Sequence, residues 1–317
     1  MLPTVAATPV LSAEETREIL PLPELVSAVG RAFATAPAAP QRLVLADAGK
    51  DWVVMPGLAT RGGMLCKLLR VGHGDDDRAP APTISGIVAL LDDDGRLLAV
   101  LDGATLTARR TAAAAAYATD LLARRDASVL ALFGAGTLAV EHVEAIATVR
   151  QLTEVRAVGR SPDRLHSFCE RMSARGYDVR PSNPHDALRG ADLVVAATTS
   201  HAPVFADEDV AAGTHINAMG SYRPQRAEVP AETVVRARVV VETRATAWHE
   251  AGDLIQPLEA GLIDTTHVYA ELHEQERIAA LRGAEPDAVT LFKSVGHVAL
   301  DLAALEVGLA RLETAPV

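Results

Sequence analysis

The segment Val129-Leu-Ala-Leu-Phe133 runs directly into Gly134-Ala-Gly136-Thr-Leu-Ala139. This junction constrains the fold more than any other feature of the chain. Five apolar residues read as a buried strand, and the apolar spacing up to about Val149 reads as a helix. Gly-x-Gly-x-x-Ala between a strand and a helix is the pattern of a dinucleotide-binding turn. There Gly134 permits the tight bend, Gly136 lets backbone N–H groups approach a pyrophosphate, and Ala139 lets the helix pack close to the strand. Gly134, Ala135, Gly136, Thr137 and Leu138 are the candidate cofactor-binding residues of this turn. A glycine-rich turn without a ligand is the bland alternative, and the strand-to-helix setting argues against it.

The chain continues in the same rhythm. Strands are expected at Val155–Val158, Asp178–Arg180, Leu193–Ala197, His215–Met219 and Val239–Glu242, with a helix from Pro162 to Ala174. Alternating strands and helices of this kind imply a Rossmann-type doubly wound parallel sheet. The first hundred residues differ. Helical spacing covers Ser12–Leu20 and Pro23–Ala34. Strands then follow one another at Arg42–Ala46, Trp52–Met55, Met64–Val71, Thr83–Leu91 and Leu97–Leu101, which predicts an antiparallel sheet. Asp75-Asp-Asp77 and Asp92-Asp-Asp-Gly95 read as solvated turns, the second a hairpin tip; neither has the ligand alternation of a calcium loop. An alanine-rich helix is expected over Arg110–Arg125, and the amphipathic stretch Val298–Leu312 is expected to return to the first domain. The fold class is therefore α/β, with a Rossmann domain at 114–296 and a second α+β domain from 1–113 and 297–317.

Length and composition fit this picture. The chain has 317 residues, 49% of them hydrophobic and 22% charged, enough to bury two cores. A net charge of −11 argues against a general binder of nucleic acid or anionic membranes. Two cysteines, Cys66 and Cys169, cannot build a disulfide framework or a four-thiolate zinc site. The histidines lack zinc-motif spacing, and no metal is expected. There is no cationic start followed by an apolar block and no run of membrane-spanning length, so we expect a soluble cytoplasmic protein.

Positive charge is distributed unevenly between the two basic residue types. Of 30 basic residues only Lys50, Lys67 and Lys293 are lysines, and the last two sit in apolar segments. Each reads either as a half-exposed strand residue with its stem on the core or as a functional ammonium. Arg42, Lys67 and Arg110 form a candidate cationic group for a substrate carboxylate, since guanidinium forks bind carboxylates bidentately. After the second Rossmann strand the chain reads Val158-Gly159-Arg160-Ser161, with Arg164 one turn on. The carboxylate that would accept from an NAD ribose is missing, while Arg160, Ser161 and Arg164 suit a 2′-phosphate. NADP(H) is expected over NAD(H). Glu250 and Asp253 read as capping or hinge residues, and Asp301 as a paired structural charge.

Six segments in this order carry a wider resemblance: Arg110-Thr-Ala-Ala, Gly134-Ala-Gly136, Ala197-Thr-Thr-Ser200, His215-Ile-Asn-Ala-Met-Gly-Ser221, Glu250-Ala-Gly-Asp-Leu254 and Phe292-Lys-Ser-Val-Gly296. Together they resemble the ornithine cyclodeaminases and mu-crystallins over almost the whole chain. The resemblance implies a homodimer joined through the non-nucleotide domain. It implies that Arg42, Lys67 and Arg110 are the carboxylate-binding and catalytic cations. It also implies that Thr83, Thr198, Met219 and Val295 line the substrate and nicotinamide.

One departure matters. Where cyclodeaminases of this family carry an aspartate that handles the substrate amine, this chain has Tyr222. Deprotonating a side-chain ammonium suits a carboxylate, and a phenol with a pKa near 10 does it poorly at neutral pH. Mu-crystallin-like ketimine reductases lack that aspartate too and use NADPH. The expected activity is NADPH-dependent reduction of a small, cyclic α-imino acid such as pyrroline- or piperideine-2-carboxylate, with Lys67, Arg110 and Tyr222 as the candidate catalytic residues, Tyr222 bordering the pocket and donating a hydrogen bond. Two other readings fit the same family: an amino-acid cyclodeaminase or dehydrogenase holding NAD, and a non-catalytic NADPH-dependent ligand-binding protein.

Overall fold

Buried strands of a parallel sheet are covered on both faces, so they read as continuous apolar runs. Runs of this kind form the centre of the parallel sheet in the computed structural model, which describes residues 8–34, 40–47, 49–59, 62–72 and 83–314. Among the described residues the chain forms two compact units, one from within 8–32, 40–110 and 298–314, the other from 33–34 and 111–297. No helix among the described residues is long and apolar enough to cross a membrane.

The first unit is built on a five-stranded antiparallel meander: β1 (Leu43–Asp47), β2 (Lys50–Leu58), β3 (Met64–Gly72), β4 (Ile84–Leu91) and β5 (Leu97–Asp102), paired in sequence order. Short connections make sequential antiparallel pairing the simplest closure. The Asp92–Gly95 tip joins β4 to β5, with Gly95 at φ 76° and Asp92 N–H donating to Arg96 O. The Asp75–Asp77 turn lies outside the described residues. Along β3 the inward positions are Leu65, Lys67, Leu69 and Val71, all buried. Helix Val298–Thr314 packs on helix Leu22–Ala32 and on β2. At Gly57 the approach is so close that an added Cβ would meet Val298 Cγ2 at 2.8 Å. The last helix thus returns to the first unit, as expected.

The second unit holds an eight-stranded parallel sheet. Its strands are β6 (Val129–Phe133), β7 (Glu154–Val158), β8 (Val179–Pro181), β9 (Leu193–Ala196), β10 (His215–Ala218), β11 (Arg238–Val241), β12 (Val268–Glu271) and β13 (Thr290–Lys293). They run in the order β12-β11-β13-β10-β9-β6-β7-β8. Alternate residues feed two cores: Leu130 and Leu132 join helices Thr137–Ala147 and Pro162–Ser173, while Ala131 and Phe133 join the opposite layer. This is the doubly wound fold. Strand order reverses between β6 and β9, where ligands of such sheets bind at the carboxyl ends.

Three expectations need correction. The alanine-rich helix spans Gly103–Leu122, so Arg110 lies in its interior and does not open it. Asp102 Oδ1 accepts from Thr105 N–H at 2.7 Å and starts the helix early, a local capping role that the alanine pattern concealed. Strand β12 was not anticipated, and β13 entered only as the apolar segment around Lys293. Lys67 and Lys293 are not half-exposed, being 0% and 1% exposed.

Candidate active site

The Rossmann turn follows β6 at the switch point. Gly134 adopts φ 118°, a left-handed conformation that favours glycine, and a Cβ there would lie 2.6 Å from Ala197 O. The bend is thereby pressed against the end of the neighbouring strand. Gly136 occupies the N-cap of helix Thr137–Ala147 without a side-chain cap, and nothing lies within 4 Å of where its Cβ would be. Gly136 and Thr137 are exposed, Ala135 and Leu138 half-buried, and Ala139 is buried under the turn. Open backbone at an uncapped helix start fits a pyrophosphate.

Beyond β7, Gly159 is followed by Arg160, Ser161 and Arg164. Both arginines are exposed. Ser161 caps helix Pro162–Ser173, its hydroxyl oxygen accepting from Arg164 N–H at 3.4 Å. Its own hydrogen can still be donated to an anion.

On the other half of the sheet, Thr198, Met219 and Val295 follow β9, β10 and β13, at the carboxyl ends of adjacent strands. Met219 and Val295 are buried, and Met219 N–H donates to Ala196 O. Three buried carboxylates hold these loops. Glu228 Oε1 accepts from Thr198 N–H and Thr198 Oγ1 at 2.7 and 2.8 Å, and Oε2 from the N–H groups of Gly220 and Ser221 at 2.7 and 3.1 Å. Burial pushes the Glu228 carboxyl up to about 7, with Lys293 opposing the shift. Glu242 accepts from Ser294 Oγ and from the N–H groups of Val295 and Gly296. Asp253 pairs with Lys293 Nζ at 2.8 Å and accepts from the N–H groups of Glu228 and Val229. Asp253 is therefore one half of a buried ion pair and not a hinge or cap. Tyr222 sits half-buried on the loop after β10, against the apolar layer beneath.

The first unit contains the cationic group. Lys67 Nζ donates to both oxygens of Asp301 at 2.8 and 2.7 Å, with both side chains fully buried. Arg110 Nε lies 3.1 Å from Asp301 Oδ1, and Arg110 Nη1 is buried with no hydrogen-bond partner among the described residues. An unpartnered buried guanidinium N–H is costly unless a ligand supplies an acceptor. Burial pulls Lys67 down to about 7, helped by the charges of Arg110 and, more weakly, Arg42, and opposed by Asp301. Two buried cations thus share one carboxylate, an arrangement ready for a second anion. Thr83 is exposed, five positions from Val88, the sheet partner of Lys67. That is about 17 Å along the strand. The structure does not bring Thr83 to the Lys67 group.

Sequence reasoning did not single out Glu228, and gave Asp301 no part in the site. Each is a lone carboxylate in an apolar setting, Ala227-Glu-Val-Pro230 and Val298-Ala-Leu-Asp-Leu302. That setting marks each as unusual but names no partner for it.

The chain is similar to known proteins over most of its length. The chain is 33% identical over 306 residues to a delta(1)-pyrroline-2-carboxylate reductase of Bacillus cereus, covering 92% of this chain and 93% of that one. It is 34% identical over 254 residues to the ketimine reductase mu-crystallin of Mus musculus, covering 79% and 77%. The solved structure of Thermococcus litoralis delta(1)-pyrroline-2-carboxylate reductase in complex with NADH and L-proline superposes with a TM-score of 0.89 at 27% identity, covering 98% of this chain and all of that one. The profile of the ornithine cyclodeaminase/mu-crystallin family matches residues 7–313, and the chain belongs to that family.

Proposed function

We propose that this protein is an NADPH-dependent reductase of a small cyclic α-imino acid, producing the corresponding amino acid. The observation that carries the reading is the buried ammonium of Lys67 on Asp301, beside an unpartnered Arg110 N–H. The names of the Bacillus and mouse relatives, and the NADH and L-proline held by the Thermococcus enzyme, support the same chemistry. Residues 114–296 serve the cofactor, and 1–113 with 297–317 serve the substrate and dimerisation. A reduced nicotinamide cofactor, when bound, supplies the hydride.

The chain's own residues do the rest. Arg110 Nη1 and Arg42 take the substrate carboxylate, which supplies the missing acceptor. Lys67, with a pKa near 7, hands a proton to the imine nitrogen as the carbon is reduced. Asp301 orients the ammonium and keeps it charged. Tyr222 in place of an aspartate leaves no carboxylate at that position to deprotonate a side-chain amine, which disfavours cyclodeamination. Gly134 to Leu138 hold the pyrophosphate, and Thr198, Met219 and Val295 border the nicotinamide. A panel of pyrroline- and piperideine-2-carboxylate, ornithine and lysine with both cofactors tests the reading. Steady NADPH oxidation by the cyclic imino acids supports it; ammonia release from ornithine without net cofactor turnover overturns it.

The preference for NADPH rests on Arg160, Ser161 and Arg164, with no carboxylate at the end of β7. Removing a charge-assisted phosphate contact costs roughly 1.5–3 kcal/mol, on the order of tenfold to a hundredfold in affinity. Arg160→Ala is therefore expected to weaken NADPH by that factor and leave NADH nearly unchanged in a fluorescence titration. Equal losses for the two cofactors would count against the assignment.

A homodimer belongs to the same reading. The outer face of the antiparallel sheet exposes Trp52, Leu68 and Ile87, which are 48%, 41% and 43% exposed. Leu68 pairs with Val54 and Ile87 across the strands, so the patch is contiguous. An apolar face of this kind is normally covered, and a two-fold dimer is the common solution. Light scattering is expected to give twice the chain mass at micromolar concentration; a stable monomer would contradict it. The free thiols of Cys66 and Cys169 suit a reducing, cytoplasmic setting.

A further inference from the structure

Glu228 lies outside the residues assigned so far to substrate or cofactor, yet its carboxylate joins two loops of the site. Each of its oxygens accepts two donors: Thr198 N–H and Oγ1 from the loop after β9, and the Gly220 and Ser221 N–H groups from the loop after β10. The loops close on it tightly, since a Cβ at Gly220 would lie 2.2 Å from Thr198 O and 2.5 Å from Glu228 Oε1. The group that grips is itself gripped. Asp253 Oδ1 accepts from Glu228 N–H at 2.6 Å, and Lys293 Nζ joins Asp253 Oδ2 to Ser221 O at 2.8 and 2.7 Å. Glu228, Asp253 and Lys293 are at most 1% exposed.

Strands β9 and β10 lie beyond the switch point, where the second half of a dinucleotide rests over the strand ends. A dinucleotide bound in this way would lay its redox-active half over the loops that Glu228 ties together. We propose that Glu228 is a positioning residue whose carboxylate fixes the separation of these two loops and thereby the placement of the nicotinamide. The inference rests on the reading of the protein as a nicotinamide-dependent reductase. Four donors on two oxygens define a requirement that only a carboxylate meets. An amide of the same shape accepts on one oxygen and turns an NH2 toward donors on the other, so it keeps one loop and releases the second.

Glu228→Gln tests this. In the protein without cofactor, hydrogen exchange followed by mass spectrometry should show faster exchange in peptides covering Thr198 or covering Gly220 and Ser221, with the remaining peptides unchanged. With NADPH and the imino acid, kcat should fall by roughly 10²-fold, the scale of an ångström's misplacement. The primary isotope effect from 4-deuterated NADPH should rise while the Kd for NADPH changes little. A merely structural role lowers the active fraction and leaves the isotope effect unmoved. Glu228→Asp keeps both acceptor oxygens one methylene short, and should show the same signs more weakly.

Wild-type exchange together with a wild-type isotope effect in Glu228→Gln overturns the proposal. So does failure of both variants to fold, because a device confined to two loops leaves the core standing. A wild-type protein that oxidises no NADPH with any cyclic imino acid would remove the reading of the substrate instead. The exchange comparison, and quenching or enhancement of bound NADPH emission in Glu228→Gln, would still decide the role of Glu228.

Discussion

Lys67→Arg is expected to leave a folded protein that binds NADPH with unchanged affinity and reduces the imino acid roughly 10²–10⁴-fold more slowly, the range for loss of a general acid. The lysine is fully buried, and its pKa of about 7 comes first from burial, then from Arg110 and Arg42, against Asp301. An ammonium near pKa 7 holds a proton at neutral pH and gives it up readily. A guanidinium keeps its proton throughout the physiological range and cannot take this part. The pH profile follows with a definite sign. Reduction needs the protonated form, so kcat/KM in that direction should be level below about pH 7 and fall above it. A carboxylate substrate, once bound, moves the fall in kcat to higher pH. The arginine variant should show a residual rate without this descending limb. Tyr222→Phe should lose far less activity, since hydride acceptance needs no base there. If Lys67→Arg works normally while Tyr222→Phe is inactive, the two roles have been exchanged.

The sequence exposed some parts of this protein and hid others, for identifiable reasons. The turn at Gly134–Ala139 was legible because backbone geometry demands glycine there; φ 118° and the 2.6 Å approach to Ala197 O leave little else possible. The meander was legible because successive short strands have few ways to pair. Lys67 stood out as a rare ammonium in an apolar strand. Its partner did not, because Asp301 is 234 residues away and the pair exists only once the last helix returns to β2. Glu228 escaped for the same reason. Its partners at Thr198 and Gly220 are mostly backbone N–H groups, which every residue has and which therefore leave no mark on sequence. Thr83 shows the reverse case, a residue assigned by resemblance whose place in the sheet is about five residues from the group it was expected to join.

Asp301→Asn carries the largest expected effect on stability. Asp301 is fully buried and is the anionic partner of both Lys67 and Arg110. Removing its charge leaves two buried cations facing each other with Arg42 nearby, and breaking a buried pair in this way costs about 3–5 kcal/mol. In domains of about 150–250 residues each kcal/mol lowers the melting temperature by about 2–4 °C, and by less in a longer chain. The loss should depend on pH. In the folded protein Lys67 already titrates near 7, below its ordinary value of 10.5. Between those values the unfolded chain binds more protons than the folded one, so the wild-type contribution from this group improves as pH rises. Without Asp301 the folded pKa drops further. Lys67 then sheds its proton at lower pH, and the variant should regain part of its deficit on titration from pH 6 to pH 9. Arg110 keeps its charge, so recovery is incomplete. The same shift moves the descending limb of kcat/KM to more acidic pH, which a purely structural aspartate would not do. Thermal melts across pH with matched kcat/KM profiles read both effects. A variant with wild-type stability at pH 6 and an unmoved kinetic limb would show that Asp301 neither supports the fold nor tunes Lys67.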